Sequence, residues 1–422
     1  MDNRLTVVEL FAGVGGFRCG LEEQHPDRFK TVWANQWEPG RKNQFAFDCY
    51  DHHFPDGSRN INADIATVID DVPPHDLLVG GFPCQDYSVA ATKARGIEGK
   101  KGVLWWSIHD IVCKHHPRFI LLENVDRLVK SPVNQRGRDF GIILRCLADE
   151  GYYVEWRIIN AADYGLQQKR RRTFIFACLG SEPFSNRMSR IPKDEILTTY
   201  GFFAAPFPVS EEITEKKAGR MDISRTRYPE LTDVSDDFEA AFYNSGFMRD
   251  YSVYTREVVP MYVGPKKTLR DILETDVDGR FYISDEELAR WREAKGAKRL
   301  IRKHKDGTPY IYSEGAIPFP DNLDIAGRTM LTSEGTLSRS SHLIQDPQNG
   351  RYRILTPVEC ERLNGFPDGW TDTGMTDRQR YFTMGNALVV PLIERMGSRL
   401  IEIDDDRPES GRYEIRQPRV PS

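Results

Sequence analysis

The apolar run Asp76-Leu77-Leu78-Val79 ends abruptly on Gly80-Gly81-Phe82-Pro83-Cys84-Gln85. A short buried strand that stops on two glycines and a Pro-Cys turn sets one thiol at the edge of a sheet. That is where open α/β folds place their chemistry. A second run, Phe119-Ile120-Leu121-Leu122, stops on Glu123-Asn124. A thiol and a carboxylate delivered by two strand ends suggest a nucleophile and a proton donor sharing one pocket.

Residues 1–180 alternate strand and helix signals around these two runs. Strands are expected over 5–10, 31–34, 76–79, 119–122, 153–160 and 173–178, and helices over 103–115 and 140–150, with Gly151 in the helix-terminating position. This rhythm predicts a doubly wound, mostly parallel, Rossmann-like α/β sheet. From 181 to about 350 the chain is polar and rich in Pro, Gly and charge, which predicts a second, smaller, irregular domain of loops and short strands. A surface helix is expected over 284–295, with Ser284 at its cap and Glu287 three residues on. Helical order returns at the capping box Thr356-Pro357-Val358-Glu359. A last helix is expected from about 387 to 401. The division read from sequence is a catalytic domain over 1–180, a small domain over 181–375, a segment over 376–403 that returns to the first domain, and a charged tail over 404–422.

A chain of 422 residues has ample core for such a layout. It contains no run of about 18 apolar residues and opens without a basic-then-apolar leader, so a cytoplasmic protein is expected, nuclear if its source has a nucleus. Cysteines stand at 19, 49, 84, 113, 146, 178 and 360. The odd count and the lack of any C-x-x-C pair support neither a disulfide framework nor a zinc cluster, and no metal is expected. Only Cys84 has the context of a reactive thiol; the others read as small buried apolar residues. A net charge of -5 argues mildly against nucleic acid. Cations cluster, however, in Lys169-Arg170-Arg171-Arg172 and again from Lys295 to Lys305 with Lys298, Arg299, Arg302 and Lys303. Each run taken alone reads equally well as a solvated face.

After the first strand comes Leu10-Phe11-Ala12-Gly13-Val14-Gly15-Gly16-Phe17. Such a turn lets a cofactor approach the backbone, or is simply a tight turn; its spacing is not the G-x-G-x-x-G of nicotinamide binding. The second strand ends on Asn35-Gln36-Trp37, where an aromatic ring can stack on an adenine or belong to core or surface. Asp64-Ile65 precedes the third strand; its carboxylate can accept from an adenine amine or be a solvated loop acid.

The ordered set Phe11–Phe17, Pro83-Cys84-Gln85, Glu123-Asn124-Val125, Gln168–Arg172 and Gly385-Asn386 resembles the DNA cytosine-5 methyltransferases, and Gly365-Phe366-Pro367 looks like a further signature of that family. The match covers roughly residues 1–180 and 350–400. The resemblance implies an S-adenosylmethionine-dependent enzyme that flips a cytosine out of duplex DNA and methylates its carbon 5, most often within a prokaryotic restriction-modification system beside a companion endonuclease. It implies Cys84 as the nucleophile on carbon 6, and Glu123 protonated, donating to ring nitrogen 3 and accepting from the exocyclic amine. Arg172 would hold the cytosine carbonyl and orient Glu123, Arg170 would line the pocket or the substrate backbone, and Asn124 belongs to the same motif. Gln85 and Ser88 would meet the nucleotide phosphate and the gap in the duplex. Cofactor positions carried over are Phe11, Gly13, Gly15, Gly16, Gln36, Trp37, Asp64, Ile65, Pro83, Asn386 and Ala387. One departure is Gln36, where relatives have an acid for the ribose; either Gln36 serves as a neutral partner or Glu38 takes over. Another is Ala387, where Ser is common.

Residues 181 to about 350 match no named pattern, and the resemblance makes them the target-recognition region, with DNA in the cleft and the chain working as a monomer. Lys298, Arg302, Lys303, Arg328 and Arg339 are the expected phosphate contacts. Two other substrates or roles fit the same fold: a relative acting on transfer RNA, for which the recognition segment is too long, and a silent DNA-binding relative, against which the intact motifs argue. A zinc deaminase would need P-C-x-x-C, whereas Pro83-Cys84 continues as Gln-Asp-Tyr.

Overall fold

The computed structural model describes residues 2–55, 59–82, 104–210, 217–304 and 306–406. They form two compact units. The large unit holds residues 1–164, 171–264 and 390–422; the small unit holds 165–170 and 265–389.

The large unit is built on one ten-stranded sheet. Its first half is the parallel array β1 (Leu5–Leu10), β2 (Phe29–Asn35), β3 (Arg59–Ile61), β4 (Leu77–Gly81) and β5 (Phe119–Val125), in spatial order β3-β2-β1-β4-β5. Helices α1 (Gly16–Leu21), α2 (Phe45–His53) and α3 (Leu104–His115) lie between these strands in the chain. Strands covered on both faces have no polar side to show, so β4 and β5 read in sequence as unbroken apolar runs. Leu77, Leu78, Val79 and the four residues Phe119 to Leu122 are fully buried.

Beyond β5 the pairing turns antiparallel. Helix α4 (Arg138–Asp149) leads to β6 (Tyr152–Asn160), and β7 (Arg171–Leu179) inserts between β5 and β6. The sheet then continues through β8 (Ala218–Asp222), β9 (Ser245–Arg249) and β10 (Ser252–Arg256), in order β6-β9-β10-β8. Following the pairings outward from β5, only β7, β9 and β8 run against the rest, so seven of the ten strands share one direction.

The boundary expected at 180 therefore differs from the observed division: residues up to 264 belong with the large unit. The reason is packing. The Arg145 guanidinium on the buried face of α4 donates to the carbonyls of Ile223 and Tyr228 at 3.2 and 2.7 Å. Phe140, Trp156 and Phe242 meet edge to face, with ring centroids 4.9–5.7 Å apart. A Cβ on Gly246 would lie 2.2 Å from Trp156, so β9 approaches β6 only because this residue has none.

Helix α5 (Val390–Asp405), starting three residues later than expected and running to 405, returns to the large unit and packs on α1. A Cβ on Gly20 would meet Ile393 at 2.6 Å, which measures how closely the two helices approach. No helix among the described residues is long and apolar enough to cross a membrane.

In the small unit, the helix Asp285–Lys295 starts at Ser284 with the expected capping box, as does the helix Pro357–Asn364 at Thr356. Its two small antiparallel sheets are β11 (Lys298–Lys303) with β12 (Pro309–Glu314), and β13 (Ile344–Gln345) with β14 (Tyr352–Arg353). The Arg353 side chain is fully buried, paired with Glu359 at 2.7 Å and Asp346 at 2.8 Å.

Gly246→Ala is expected to destabilise the large unit by about 1–3 kcal/mol, the usual penalty of overpacking. Urea unfolding followed by tryptophan fluorescence checks this, and an unchanged midpoint would mean that β9 does not rest on Trp156.

Candidate active site

The ends of β4 and β5 stand side by side, with Gly81 opposite Glu123. A Cβ on Gly81 would come within 3.2 Å of the Glu123 carboxylate, so the glycine leaves room for that group. The antiparallel register of β7 puts Arg172 opposite Val125, and its Nε reaches Glu123 Oε1 at 2.7 Å. Both side chains are largely buried, where an ion pair is screened less than at the surface. Asn124 points to the other side of the strand. Its amide donates to the Phe82 carbonyl at 2.8 Å, and its carbonyl accepts from the Val125 amide at 2.8 Å. Asn124 thus fastens the last described residue before Pro83 to the strand that carries Glu123.

Pro83, Cys84, Gln85 and Ser88 lie outside the described residues. Among the described cysteines, Cys19, Cys49, Cys146, Cys178 and Cys360 are buried and Cys113 is half-buried. Burial pushes the thiols of Cys19, Cys113 and Cys146 up to about 12. These are inert thiols, as expected from sequence. His109, Cys113 and Glu150 bring donor atoms within 4.8 Å of one another, three where a structural zinc site uses four.

The glycine turn after β1 is held by its neighbours. Phe11, Gly13 and Gly15 all have positive φ, at 53°, 57° and 88°. The Gln36 side chain accepts from the Gly13 amide at 2.8 Å, and Ala12 N donates to the Asn35 carbonyl. Gln36, one of the two candidates for the ribose beside Glu38, thus has its carbonyl oxygen engaged by the turn. Nothing lies within 4 Å of the Cβ position at Gly13, so the turn borders open space, whereas a Cβ on Gly15 would strike Phe54 at 2.5 Å. Trp37 is 37% exposed, high for such a ring beside a sheet. Glu38 is half-buried, and burial pushes its carboxyl up despite Arg41. Asp64 caps the short 3-10 turn Ile65–Thr67 through the Ala66 amide at 3.1 Å, while Ile65 is buried. Asn35, not singled out from sequence, donates to the carbonyls of Ile61 and Ala63 and so positions the Asp64 loop. Backbone amides, an exposed ring, an apolar wall and carboxylates, at the ends of three adjacent parallel strands, are the groups an adenosine-bearing molecule requires.

Other expected site residues are placed differently. Arg170 belongs to the small unit, is buried, and donates to the carbonyls of Met330 and Gly385 at 3.1 Å each, so among the described residues it supports that unit's architecture. Gln168 beside it donates to Leu363 O and Asn364 Oδ1. Asn386 ends the helix Asp377–Asn386, and Ala387 caps it through Thr383 and Met384 carbonyls. Arg328 is paired with Asp321 at 2.5 Å and with the carbonyls of Ser340 and Ser341. Arg339 donates to the carbonyls of Gly296 and Gly315. Neither guanidinium presents the open phosphate contact expected of it. Lys298 and Arg302 are exposed on β11. A cavity of about 370 Å³, bordered by Lys130, Arg136, Asn160 and Arg171, opens in the large unit; of the basic run singled out from sequence, Arg171 lines it.

Glu9, on β1 just before the glycine turn, is 1% exposed and was missed from sequence. Tyr50 donates to its Oε2 at 3.0 Å, and Oε1 has no partner among the described residues. Burial pushes its carboxyl up to about 7, against the opposing pull of Tyr50 and Arg18.

The family model described as C-5 cytosine-specific DNA methylase matches residues 5–402. The chain is 47% identical over 407 residues to the type II methyltransferase M.Sau3AI of Staphylococcus aureus, covering 95% of this chain and 97% of that one. It is 25% identical over 397 residues to the type II methyltransferase M.Bsp6I of a Bacillus species, covering 94% and 98%. Among solved structures it is similar to a Dnmt2 methyltransferase of S. pombe, with TM-score 0.57 at 17% identity over 94% of this chain and 99% of that one, a likeness of fold.

An acid whose folded pKa is raised binds its proton more tightly when folded. Its contribution is present below the unfolded value near 4.5 and lost as pH rises through about 7. Between about pH 4 and about pH 8, wild type should therefore lose about 3 kcal/mol of stability relative to Glu9→Gln. Parallel urea-stability profiles for the two proteins would rule out the buried, protonated Glu9.

Proposed function

The chain belongs to the C-5 cytosine-specific DNA methylase family, and from that premise we propose that it is the modification enzyme of a type II restriction-modification system, acting in the cytoplasm as a monomer on one short duplex sequence. It is an S-adenosylmethionine-dependent DNA (cytosine-5) methyltransferase. The observation that carries the mechanistic reading is the Glu123–Arg172 pair beside Gly81, at the end of the strand that precedes Pro83-Cys84 in the chain.

Carbon 5 of cytosine is a poor nucleophile, and inside a duplex it is out of reach. The base is therefore flipped into the pocket. The Cys84 thiolate adds to carbon 6 and forms a C–S bond while ring nitrogen 3 takes a proton from Glu123, leaving an enamine with electron density on carbon 5. Arg172 keeps the Glu123 carboxyl in place and reaches the cytosine carbonyl. After methylation solvent water takes the proton from carbon 5, the C–S electron pair leaves with the Cys84 thiolate, and ring nitrogen 3 returns its proton to Glu123, restoring the aromatic ring. Asn124, through Phe82, sets where the Cys84 turn begins, and Gln85 and Ser88 on that turn meet the substrate strand.

S-adenosylmethionine, when bound, supplies an electrophilic sulfonium methyl. The open space at Gly13, the exposed Trp37 ring and the Asp64 carboxylate fit its nucleoside. Trp37 and Ile65 would hold the adenine, Asp64 would accept from its amine, and Phe11, Gly13, Gly15 and Gly16 would shape the turn against it. Since the Gln36 carbonyl is occupied by Gly13, Glu38 is the acceptor for the ribose hydroxyls.

Unmethylated bacterial DNA incubated with the purified protein and cofactor should acquire 5-methylcytosine in one short context, read by base-resolution mapping. Cys84→Ala should lose transfer to background while still binding cofactor by calorimetry. Glu123→Gln should lower kcat by about 10²–10⁴-fold, the usual worth of a general acid. Full activity of Cys84→Ala would overturn the mechanism.

A further inference from the structure

The β11–β12 ribbon is unlike the rest of the small unit. All six residues of β11 are exposed, and β12 alternates exposed with half-buried. Residues directly opposite on paired strands share a face. One face carries Lys298 with Glu314, Leu300 with Tyr312, and Arg302 with Tyr310. That face is internally engaged: Arg302 lies 3.7 Å over the Tyr312 ring, and Tyr312 donates to Glu314. The other face carries Arg299 with Ser313, Ile301 with Ile311, and Lys303 with Pro309. All six of these residues are exposed, including Ile301 at 79% and Ile311 at 57%. An isoleucine pair facing water is costly to leave uncovered.

The base of the ribbon is rigid. Arg339 donates to the carbonyls of Gly296 and Gly315, which flank the two strands. The Ile317 amide donates to the Lys295 carbonyl, and the buried Lys295 ammonium reaches Asp321 at 3.2 Å and the Ser341 carbonyl at 2.7 Å. Arg328 grips the same aspartate. Arg328 and Arg339, which sequence assigned to phosphate, thus hold up the hairpin.

The geometry points to duplex DNA as the occupant of the open face, with the ribbon seated in the major groove; this rests on the methyltransferase reading above. The two strands carry Lys298, Arg299, Arg302 and Lys303 against the single carboxylate of Glu314, in a chain whose net charge is -5. A two-stranded ribbon fits that groove, which is roughly 12 Å wide. Arg299 and Lys303 are four residues apart on one strand, about 13 Å, which matches the distance between the phosphate walls. Ile301 sits midway, with Ile311 beside it. Apolar side chains there read the 5-methyl group of thymine. Ile301 and Ile311 are therefore base-reading residues, and Arg299 and Lys303 are their phosphate anchors.

The test uses the full-length enzyme, the duplex context found by methylation mapping, and copies in which each thymine in turn is replaced by deoxyuridine. Wild type should lose roughly 5- to 100-fold in kcat/KM at one or more of these replacements, the range for a lost base contact. The double variant Ile301→Ser, Ile311→Ser should lose that discrimination while keeping its melting curve. Arg299→Ala with Lys303→Ala should weaken binding to all duplexes alike and reduce the salt slope by about 2. Unchanged thymine discrimination in the isoleucine variant, or an unchanged salt slope in the cation variant, overturns the proposal. So does an unaltered methylation context combined with loss of a dimer on sedimentation, which would make the face a contact between copies. If wild type yields no 5-methylcytosine in any DNA, the enzymatic reading fails by itself, and the salt slope on plain duplex still decides whether the ribbon binds DNA.

Discussion

The ion pair between Arg172 and Glu123 sits where the parallel half of the sheet meets the antiparallel half. It forms only because β7 runs back beside β5, bringing a residue from the start of one strand next to a residue at the end of the other. A purely parallel sheet would put the start of every strand at the opposite edge. The reversal of β7 thus delivers a cation to the edge at which β4 ends and β5 delivers the carboxylate. Gly81 and Asn124 then determine the details: one by leaving room, the other by tying Phe82 to β5.

The sequence was most legible where structure is local or doubly buried. Strands β4 and β5 showed as apolar runs because no face of them meets water, whereas the short, partly exposed β3 gave no such run. The helix starts at Ser284 and Thr356 showed because a capping box is complete within four residues. The motif residues Glu123, Arg172, Phe11, Gly13 and Trp37 came from their order along the chain, and each lies at or next to the end of a strand.

What was not legible depends on partners distant in sequence. The hairpin between β9 and β10 turns on Asp250 and Tyr251, both at positive φ, without the glycine or asparagine that would mark it. Residues 181–264 consequently lacked a visible rhythm, although they complete the large sheet. Arg170, Arg328, Arg339 and Lys295 read as cations awaiting phosphate, because a guanidinium's sequence neighbours do not say which carbonyl or carboxylate will meet it. Conversely, Glu9 looked like an ordinary strand residue until β1 was covered on both sides.

The close approach of α1 and α5 at Gly20 has a temporal consequence. The ribosome must make the whole small unit before it makes the helix that covers the glycine-turn segment. Until then α1 keeps an uncovered apolar side, and the nascent large unit is incomplete however long its first 264 residues have been outside the tunnel. Assembly of the large unit is thereby deferred until the small unit has been made, so a chain stopped before Val390 lacks the helix that packs on α1.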